Sequence, residues 1–358
     1  MKNKKKRLFA LLFIIVIFTS LIIFSYNNDY IYKDTIMKIT KIEVIENSSN
    51  TNTLGLEEEY YQKEITGVIT NGKDKGTTKV LEYEESYSSV VTEKYSVGDK
   101  VFISNNSIDG LKRDSYIAIM ISIFVISIFI VGNFRGLLAL VSVLLNTIIF
   151  CLGLDLYFKG INLLLLCTIE VVIFTILSLI LAGGKNRKTY TAIISTLISL
   201  TILFIMSIFV INITDYKGIN FNEISFLTVP FKDIIIVELI IGGLGAIMDV
   251  AITMSASISE LIEKNNKISN NALRKSGKDI GKDIMSTMIN VLFFTYLCSG
   301  LPVFVLAFRN GFSFYNYITT NFSLEIARFL VGSIGIILTI PISKFIAIKY
   351  LRRGDVNE

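Results

Sequence analysis

Carboxylates stand inside two apolar segments that are each long enough to cross a bilayer. Asp249 lies in the middle of residues 238–261, and Glu170 lies within residues 161–182. A charged side chain at membrane depth is costly, so it is expected to face a partner, a bound cation or a water-filled cavity. No lysine or arginine lies near either acid in the sequence. We therefore interpret Asp249 and Glu170 as candidate binding sites for a proton or another cation.

Two more charged residues, Glu238 and Arg328, are candidate ion-binding residues near the outer ends of the predicted helices. Arg328 follows Glu325 by three residues on one helix face, where the two side chains can form an ion pair. Arg328 can equally contact Glu238 on a neighbouring helix. The sequence leaves both pairings open.

Small side chains share a helical stripe with Asp249. Gly242, Gly245, Ala246 and Ala256 recur at the three- and four-residue spacing of one helix face. Small residues let helices in lipid approach closely, and the resulting contacts replace the hydrophobic drive of a soluble core. We predict that these four residues pack helices together. The helix that carries them is then expected at the centre of a bundle rather than at its lipid-facing rim.

Composition restricts the classes of function. The 358 residues are 52% hydrophobic and include no histidine, which excludes histidine general bases and histidine-ligated metals. The three cysteines lie in apolar segments without metal-site spacing, and residues 183–188 lack a phosphate-binding pattern. We expect no catalytic residue, cofactor or bound metal, so a membrane enzyme is the least favoured of three interpretations. The basic loops indicate membrane topology rather than nucleic-acid binding.

Apolar segments of spanning length predict a mostly α-helical, polytopic protein whose partner is the lipid bilayer. About eight transmembrane helices are expected, at residues 8–24, 115–131, 136–156, 161–182, 190–213, 233–257, 286–308 and 323–350. Lysine and arginine concentrate in alternate loops, on the side of the basic residues 1–7. The positive-inside rule then predicts a multi-pass protein of the bacterial cytoplasmic membrane with both termini in the cytoplasm.

Three domains follow from this topology. Residues 1–29 are predicted to be a basic cytoplasmic start and an N-terminal membrane anchor. A cleaved signal peptide is the alternative, but the apolar run is longer than usual and no small-residue cleavage site follows it. Residues 30–114 are predicted to be an extracytoplasmic β-domain. Residues 115–358 are predicted to be a seven-helix membrane domain with a basic cytoplasmic loop at 258–285.

The β-domain is predicted from short runs in which apolar residues alternate, at residues 38–46, 64–70, 76–83 and 95–104. Period-2 patterning between turn residues, such as Asn71-Gly72, predicts a small β-barrel or sandwich inserted after the first helix. The polar and acidic residues 47–61 predict a mobile loop. Residues 30–114 carry 11 Lys and Arg against 15 Asp and Glu, an acidic balance opposite to that of the short loops.

Two features of the later chain have alternative interpretations. Residues 260–286 are basic and partly amphipathic, which is typical of a surface helix held against anionic lipid or of an element that docks a cytoplasmic partner. Glycine and proline in residues 298–302 predict an interruption of the seventh span, and Pro341 predicts another in the eighth. Helices broken near a buried carboxylate are common in transporters, but the same residues also occur as packing details.

Residues 242–261 and 274–302 closely resemble the YibE/YibF-like family of bacterial multi-pass membrane proteins. The shared patterns are Gly-Ala-x-x-Asp-Val at residues 245–250 and Ser-Gly-x-x-x-Gly-x-Asp-x-Met at residues 276–285. Ser286 departs from the family pattern, in which glycine is usual. A β segment with a Val-Gly-Asp turn after one N-terminal helix is also similar. The resemblance covers nearly the whole chain and implies this architecture, without implying an activity.

Two hypotheses of function remain from the sequence beside the enzyme interpretation. The leading one is a transporter or permease-type protein that uses Asp249 and Glu170 as proton or cation sites. The alternative is an envelope sensor or assembly protein, which binds an envelope partner through residues 30–113 and relays that binding through residues 260–286.

Overall fold

The computed structural model describes residues 2–51, 57–88, 92–214, 231–320 and 322–354. The chain forms two compact units, Met1–Leu137 and Leu138–Glu358. The first unit contains a helix, a β-sheet and the beginning of a second helix. The second unit contains the end of that helix and all later helices.

The described chain is mostly α-helical, as predicted. Its helices are α1 (Lys2–Asn27), α2 (Asp114–Phe158), α3 (Leu163–Gly183), α4 (Arg187–Thr214), α5 (Phe231–Lys264), α6 (Asn270–Arg309), α7 (Phe314–Thr320) and α8 (Ser323–Gly354). All except the short α7 are long and apolar enough to cross a membrane. The described residues thus have seven helices of spanning length, where the sequence predicts about eight.

The difference arises in α2, whose 45 residues contain two of the predicted spans. Asn133 has φ 51° and ψ −141°, which lie outside the helical region. Gly136 packs against Ile128, whose carbonyl oxygen is 2.8 Å from the position that a Cβ atom on Gly136 would take. Residues eight apart in a straight helix are separated by about 12 Å. The chain therefore turns back at Asn133.

Five strands between α1 and α2 form one antiparallel sheet. They are β1 (Thr35–Thr51), β2 (Glu57–Ile69), β3 (Thr78–Ser86), β4 (Lys100–Ser104) and β5 (Ser107–Leu111). Their order is β3-β2-β1-β4-β5. The predicted barrel or sandwich is wrong, because a barrel requires a hydrogen-bonded ladder between β3 and β5, and the described strands form a single open sheet.

One face of this sheet carries the core that the alternating pattern predicts. Its buried residues are Met37, Ile39, Ile65, Ile69, Leu81, Tyr95, Val101 and Ile103. β1 and β2 then continue beyond the core as a hairpin arm, in which Asn47–Thr51 pair with Glu57–Tyr61. The prediction of a mobile loop at 47–61 is therefore wrong for both ends of that stretch, because cross-strand pairing extends the ladder through polar residues.

α5 is the central helix of the second unit, where it contacts α3, α4, α6 and α8. Its Gly243 lies against α8, since the Cα atom of Gly332 is 3.5 Å from the position of a Cβ atom on Gly243. Such a close approach of two backbones needs small residues. The contacts agree with the central place that the small residues predict for this helix.

Residues 258–285 belong mostly to the two helices on either side of a short connection. α5 continues to Lys264 and α6 begins at Asn270. Gly277 and Gly281 are buried positions within α6, and Gly281 packs against Ile340 of α8. The predicted interruption at residues 298–302 is wrong, because α6 continues through Pro302. Proline removes only one backbone donor, and the helix resumes after it.

Candidate functional site

A cavity of about 530 Å³, here called the Glu170 cavity, lies among α2, α3, α5, α6 and α8 in the second unit. Most of its wall is apolar and includes Phe150, Leu154, Leu163, Leu166, Cys167, Ile234, Val237 and Ile241. Its polar wall consists of Tyr157, Glu170, Glu238, Tyr296 and Arg328. An apolar cavity with a few convergent polar groups is typical of a ligand site. Three of the four candidate ion-binding residues line this one cavity.

Among the described residues, no lysine or arginine pairs with Glu170 in the cavity. The helix that carries it, α3, begins at Asn162, whose side chain accepts a hydrogen bond from the backbone amide of Leu165 at 3.1 Å. Glu170 follows two turns later and is 8% exposed. Within the described ranges its carboxylate forms no ion pair and no side-chain hydrogen bond. It lies against Gly153 of α2, where a methyl group would overlap with Oε1.

Arg328 connects two helices at the other side of the cavity. Its Nη2 atom lies 2.6 Å from Oε2 of Glu238 on α5, and its Nη1 atom lies 2.7 Å from Oε1 of Glu325 on α8. The two pairings that the sequence leaves open therefore occur together. Charge-assisted contacts of this kind are strong when they are shielded from water.

The charges of the site do not balance. Glu170, Glu238 and Glu325 provide three carboxylates, and Arg328 provides one guanidinium group. The four groups carry a net charge of about −2 when all are ionised, and a membrane interior penalises such an excess. Binding of a proton or another cation reduces it.

Asp249 lies outside this cavity. Its side chain is exposed on α5, and the ion pairs of the described residues do not include it. Gly245 and Thr253 are exposed too, and a Cβ atom on Gly245 would meet no atom within 4 Å. At 100° per residue these three positions fall within an arc of about 80°. We call this open strip, Gly245, Asp249 and Thr253, the α5 groove.

The α5 groove has packed flanks. On one side, Met248 and Ile252 pack in a cluster with α3 and α4. On the other side, Ala246 packs in a cluster with α6 and α8. Of the other residues predicted to pack helices, Gly242 contacts Tyr296 of α6 and Ala256 is half-buried. The predicted stripe therefore separates into packed positions and an open groove that holds the carboxylate.

Two residues of the site have no signal in the sequence. Tyr296 is one of 16 tyrosines, and Gly153 is one of 23 glycines. Their roles follow from contacts across helices, which bring Tyr296 to Gly242 and Gly153 to Glu170. The described residues include no group of three side chains that could hold a metal ion.

A second buried cluster of charges lies in the first unit, where α1 ends and α2 begins. The Nζ atom of Lys100 lies 2.6 Å from Oδ2 of Asp29, and the Nζ atom of Lys112 lies 3.0 Å from Oδ1. The Lys112 amine also donates a hydrogen bond to Oδ1 of Asn28 at 2.6 Å and lies 3.6 Å from Asp114. Two carboxylates thus meet two amines. We call these residues the Asp29 cluster.

The electrostatics of the Asp29 cluster favour its charged form. Burial raises the pKa of the Asp29 carboxyl. Hydrogen bonds from Lys100 and Lys112 lower this pKa by more than burial raises it, so that it lies below its ordinary value of 3.8. The Lys112 side chain is 3% exposed, which is rare for a lysine without partners.

Asn71 connects this cluster to the sheet. Its Oδ1 atom accepts a hydrogen bond from the backbone amide of Ile36 at 2.7 Å, and its Nδ2 atom donates to the carbonyl oxygens of Asp29 and Asp34 at 3.1 and 2.8 Å. The sequence predicts only a turn at this residue. Its side chain in fact satisfies backbone groups that β1 and the preceding turn would otherwise leave buried and unpaired.

The sequence model of the YibE/F-like protein family matches residues 120–353, and that of the YibE/F family N-terminal domain matches residues 30–118. The chain belongs to the YibE/F-like family. The N-terminal family domain covers the sheet and the Asp29 cluster except for its first residues, and the other covers the Glu170 cavity and the α5 groove. No curated protein and no solved structure matches the chain.

Proposed function

We propose that this protein is a multi-pass protein of the bacterial cytoplasmic membrane that transports a proton or another cation, alone or coupled to a second substrate. The observation that carries the proposal is the Glu170 cavity, which is lined by Glu170, Glu238 and one arginine, Arg328, whose ion pairs are with Glu238 and Glu325 and not with Glu170. A carboxylate without a counter-ion in a mostly apolar cavity favours binding of a proton or another cation.

The proposed orientation places both termini in the cytoplasm. The connections at residues 184–188 and 265–269 and the start of α6 carry lysines and arginines, and the N-terminal segment is basic as well, so the positive-inside rule assigns each of them to the cytoplasm in this proposal. The sheet between α1 and α2 is then extracytoplasmic.

The residues of the cavity have distinct roles in this proposal. Glu170 binds the cation, because it has no counter-ion among the residues that the structure describes. Arg328 holds Glu238 and keeps one wall of the cavity fixed. Asp249, on the α5 groove, is a second cation site. The basic residues 260–286 hold the cytoplasmic side of the bundle against anionic lipid. No enzymatic step is proposed.

Proton flux into vesicles tests the proposal. The purified protein is reconstituted in vesicles of phosphatidylethanolamine and phosphatidylglycerol that enclose a pH-sensitive dye, and parallel vesicles enclose a sodium-sensitive or a potassium-sensitive dye. We expect flux driven by a proton, sodium or potassium gradient in the wild type. The Glu170→Gln variant should reduce it by at least about tenfold, because the only buried carboxylate without a counter-ion in the described cavity is removed.

The control is Glu260→Gln, which removes an exposed carboxylate near the end of α5, where it pairs with Lys264 of the same helix at 2.6 Å. This variant should retain the flux of the wild type. Equal flux in the wild type and the Glu170→Gln variant, or no flux of any of the three cations through a folded wild-type protein, would contradict the proposal.

A second function is favoured by the hairpin arm of the sheet. All residues of β1 from Glu43 to Thr51 are exposed, and within the described strands β4 pairs only with Thr35–Lys38. The far edge of β1 is thus open to another strand, as in proteins that bind partners by strand addition. An envelope sensor or assembly protein would use this edge for its partner.

Removal of residues 43–62 distinguishes the two functions. A transporter should retain proton flux without the arm, because the Glu170 cavity lies wholly in the second unit. An interaction protein should form specific crosslinks to a partner from position 45 of the intact chain in cells, and removal of the arm should abolish co-purification of that partner. Loss of the partner with unchanged or absent flux would favour the second function.

A further inference from the structure

The Glu170 cavity ends at one residue of α5. The cavity wall on this helix consists of Ile234, Val237, Glu238, Ile241 and Gly242. The next residues on the same face, Gly245 and Asp249, do not line the cavity and are exposed in the α5 groove. Glu238, Gly242, Gly245 and Asp249 fall within an arc of about 60° on the helix. One helix face therefore passes from the cavity into the groove.

Tyr296 closes that face at Gly242. A methyl group on Gly242 would overlap with the Tyr296 hydroxyl oxygen, whereas the ring carbon Cζ would remain 3.7 Å away. Tyr296 also lines the cavity, together with Glu238 and Arg328. On the other side of this contact, the Cβ position of Gly245 meets open space. The Tyr296 hydroxyl therefore meets α5 at the last cavity residue, immediately before the first open residue of the groove on this face.

The two spaces hold the carboxylates that need an explanation at membrane depth. Glu170 and Glu238 line the cavity, and Asp249 lies in the groove, about 10 Å beyond Gly242 along the helix axis. We propose that Gly242 and Tyr296 form the constriction between two compartments of one cation path, and that movement of the Tyr296 ring away from α5 joins them. The inference rests on the proposed function.

Substitution of Gly242 tests the constriction. Gly242→Ala adds a methyl group where the Tyr296 hydroxyl lies. The methyl group should either block the space between cavity and groove or hold the Tyr296 ring in a displaced position. In vesicles, proton flux is expected to change by about tenfold or more. The control is Gly132→Ala on α2, because a Cβ atom there meets nothing within 4 Å. It should leave flux within about twofold of the wild type.

Tyr296→Phe provides the rescue. It removes the oxygen atom that the methyl group would overlap and retains the ring. The double variant Gly242→Ala with Tyr296→Phe should return to within about twofold of the Tyr296→Phe variant, as expected when two positions couple through one contact. An additive effect of the two substitutions would overturn the inference, because it would show that they do not share a contact that controls flux.

Cysteine labelling tests the two compartments without relying on flux. Ile241→Cys and Gly245→Cys are made in a background in which Cys151, Cys167 and Cys298 are replaced by alanine. A membrane-impermeant maleimide should label Ile241→Cys from the outer face and Gly245→Cys from the cytoplasmic face. Addition of Tyr296→Ala should make Gly245→Cys reactive from the outer face as well. Labelling of both positions from one face in the presence of Tyr296 would overturn the inference.

The two proposals fail in different ways. If the wild type moves no cation but the two cysteines are labelled from opposite faces, the constriction stands and the proposed function fails. If flux depends on Glu170 but both cysteines are labelled from one face, the proposed function stands and the constriction fails.

Discussion

The Asp29 cluster and the Glu170 cavity use the same kinds of residue in opposite ways. In the Asp29 cluster two carboxylates meet two lysines within 3.6 Å, and each charge has an opposite charge beside it. At the Glu170 cavity Arg328 pairs with two carboxylates, those of Glu238 and Glu325, and Glu170 has no counter-ion in the described chain. The charges of the Asp29 cluster are therefore balanced by residues of the protein itself, whereas those at the Glu170 cavity are not.

A balanced cluster fixes structure. Once its charges are buried and paired, removal of one partner leaves an uncompensated charge in a poorly solvated place. An unbalanced cluster instead needs a positive charge from outside the protein. The same comparison predicts that substitutions in the Asp29 cluster change stability first and that substitutions in the cavity change transport first.

The largest stability effect is expected for Asp29→Asn. The substitution keeps the shape of the side chain and leaves Lys100 and Lys112 without a full counter-charge. We expect the free energy of unfolding of the first unit to fall by about 3 kcal/mol or more. Hydrogen exchange of the amides in β1 and β4, followed by mass spectrometry in detergent, measures the change.

The control for this prediction is Glu43→Gln on the hairpin arm. Glu43 pairs with Lys41 at 2.6 Å, but the two side chains are 55% and 61% exposed. Exposed ion pairs contribute little to stability, so exchange in β1 and β4 should not change. Equal losses of protection in the two variants would contradict the distinction between buried and exposed pairs.

A smaller effect is expected from acid. The pKa of Asp29 is below its ordinary value of 3.8, and hydrogen bonding to Arg113 lowers the pKa of Glu93 as well. A carboxyl group of this kind adds stability that is present above its ordinary pKa and is lost as the pH falls through the lowered value. Protection of the sheet, corrected for intrinsic exchange, should be constant from pH 7 to about pH 5 and fall below about pH 4.

Asp29→Asn should remove part of this acid dependence. The remaining slope then reports Glu93 and the other carboxyl groups. An unchanged acid profile in the variant would show that the Asp29 cluster is protonated at the same pH in the folded and unfolded states.

Much of the fold follows from periodicity in the sequence. Apolar runs of spanning length predict the long helices, and alternation predicts the face of the sheet that holds Ile39, Ile65 and Val101. Periodicity does not predict whether the sheet is open or closed, because that depends on which strands pair, and the pairing strands are distant in the sequence. The pairing of polar residues in the hairpin arm was also not predicted. These residues have no alternating apolar pattern, and the pairing depends on backbone hydrogen bonds between the two strands.

The sequence predicted which residues belong to the site better than it predicted how they are arranged. Glu170, Glu238 and Arg328 can be found because charges are rare in apolar runs. Asp249 carries the same signal, yet it lies in the α5 groove rather than the cavity. Helical spacing fixes which residues share a face, but the neighbouring helices decide which part of that face is covered. The Gly242–Tyr296 contact depends on such a neighbour and leaves no pattern in the sequence.

Proton flux of Glu170→Gln and Asp29→Asn, measured side by side in the same vesicles and normalised to folded protein, tests the central claim most directly. The claim is that the unbalanced cluster works in transport and the balanced one in structure. We predict a loss of at least about tenfold for Glu170→Gln and flux near that of the wild type for Asp29→Asn. Equal losses in the two variants, or unchanged flux in Glu170→Gln, would contradict it.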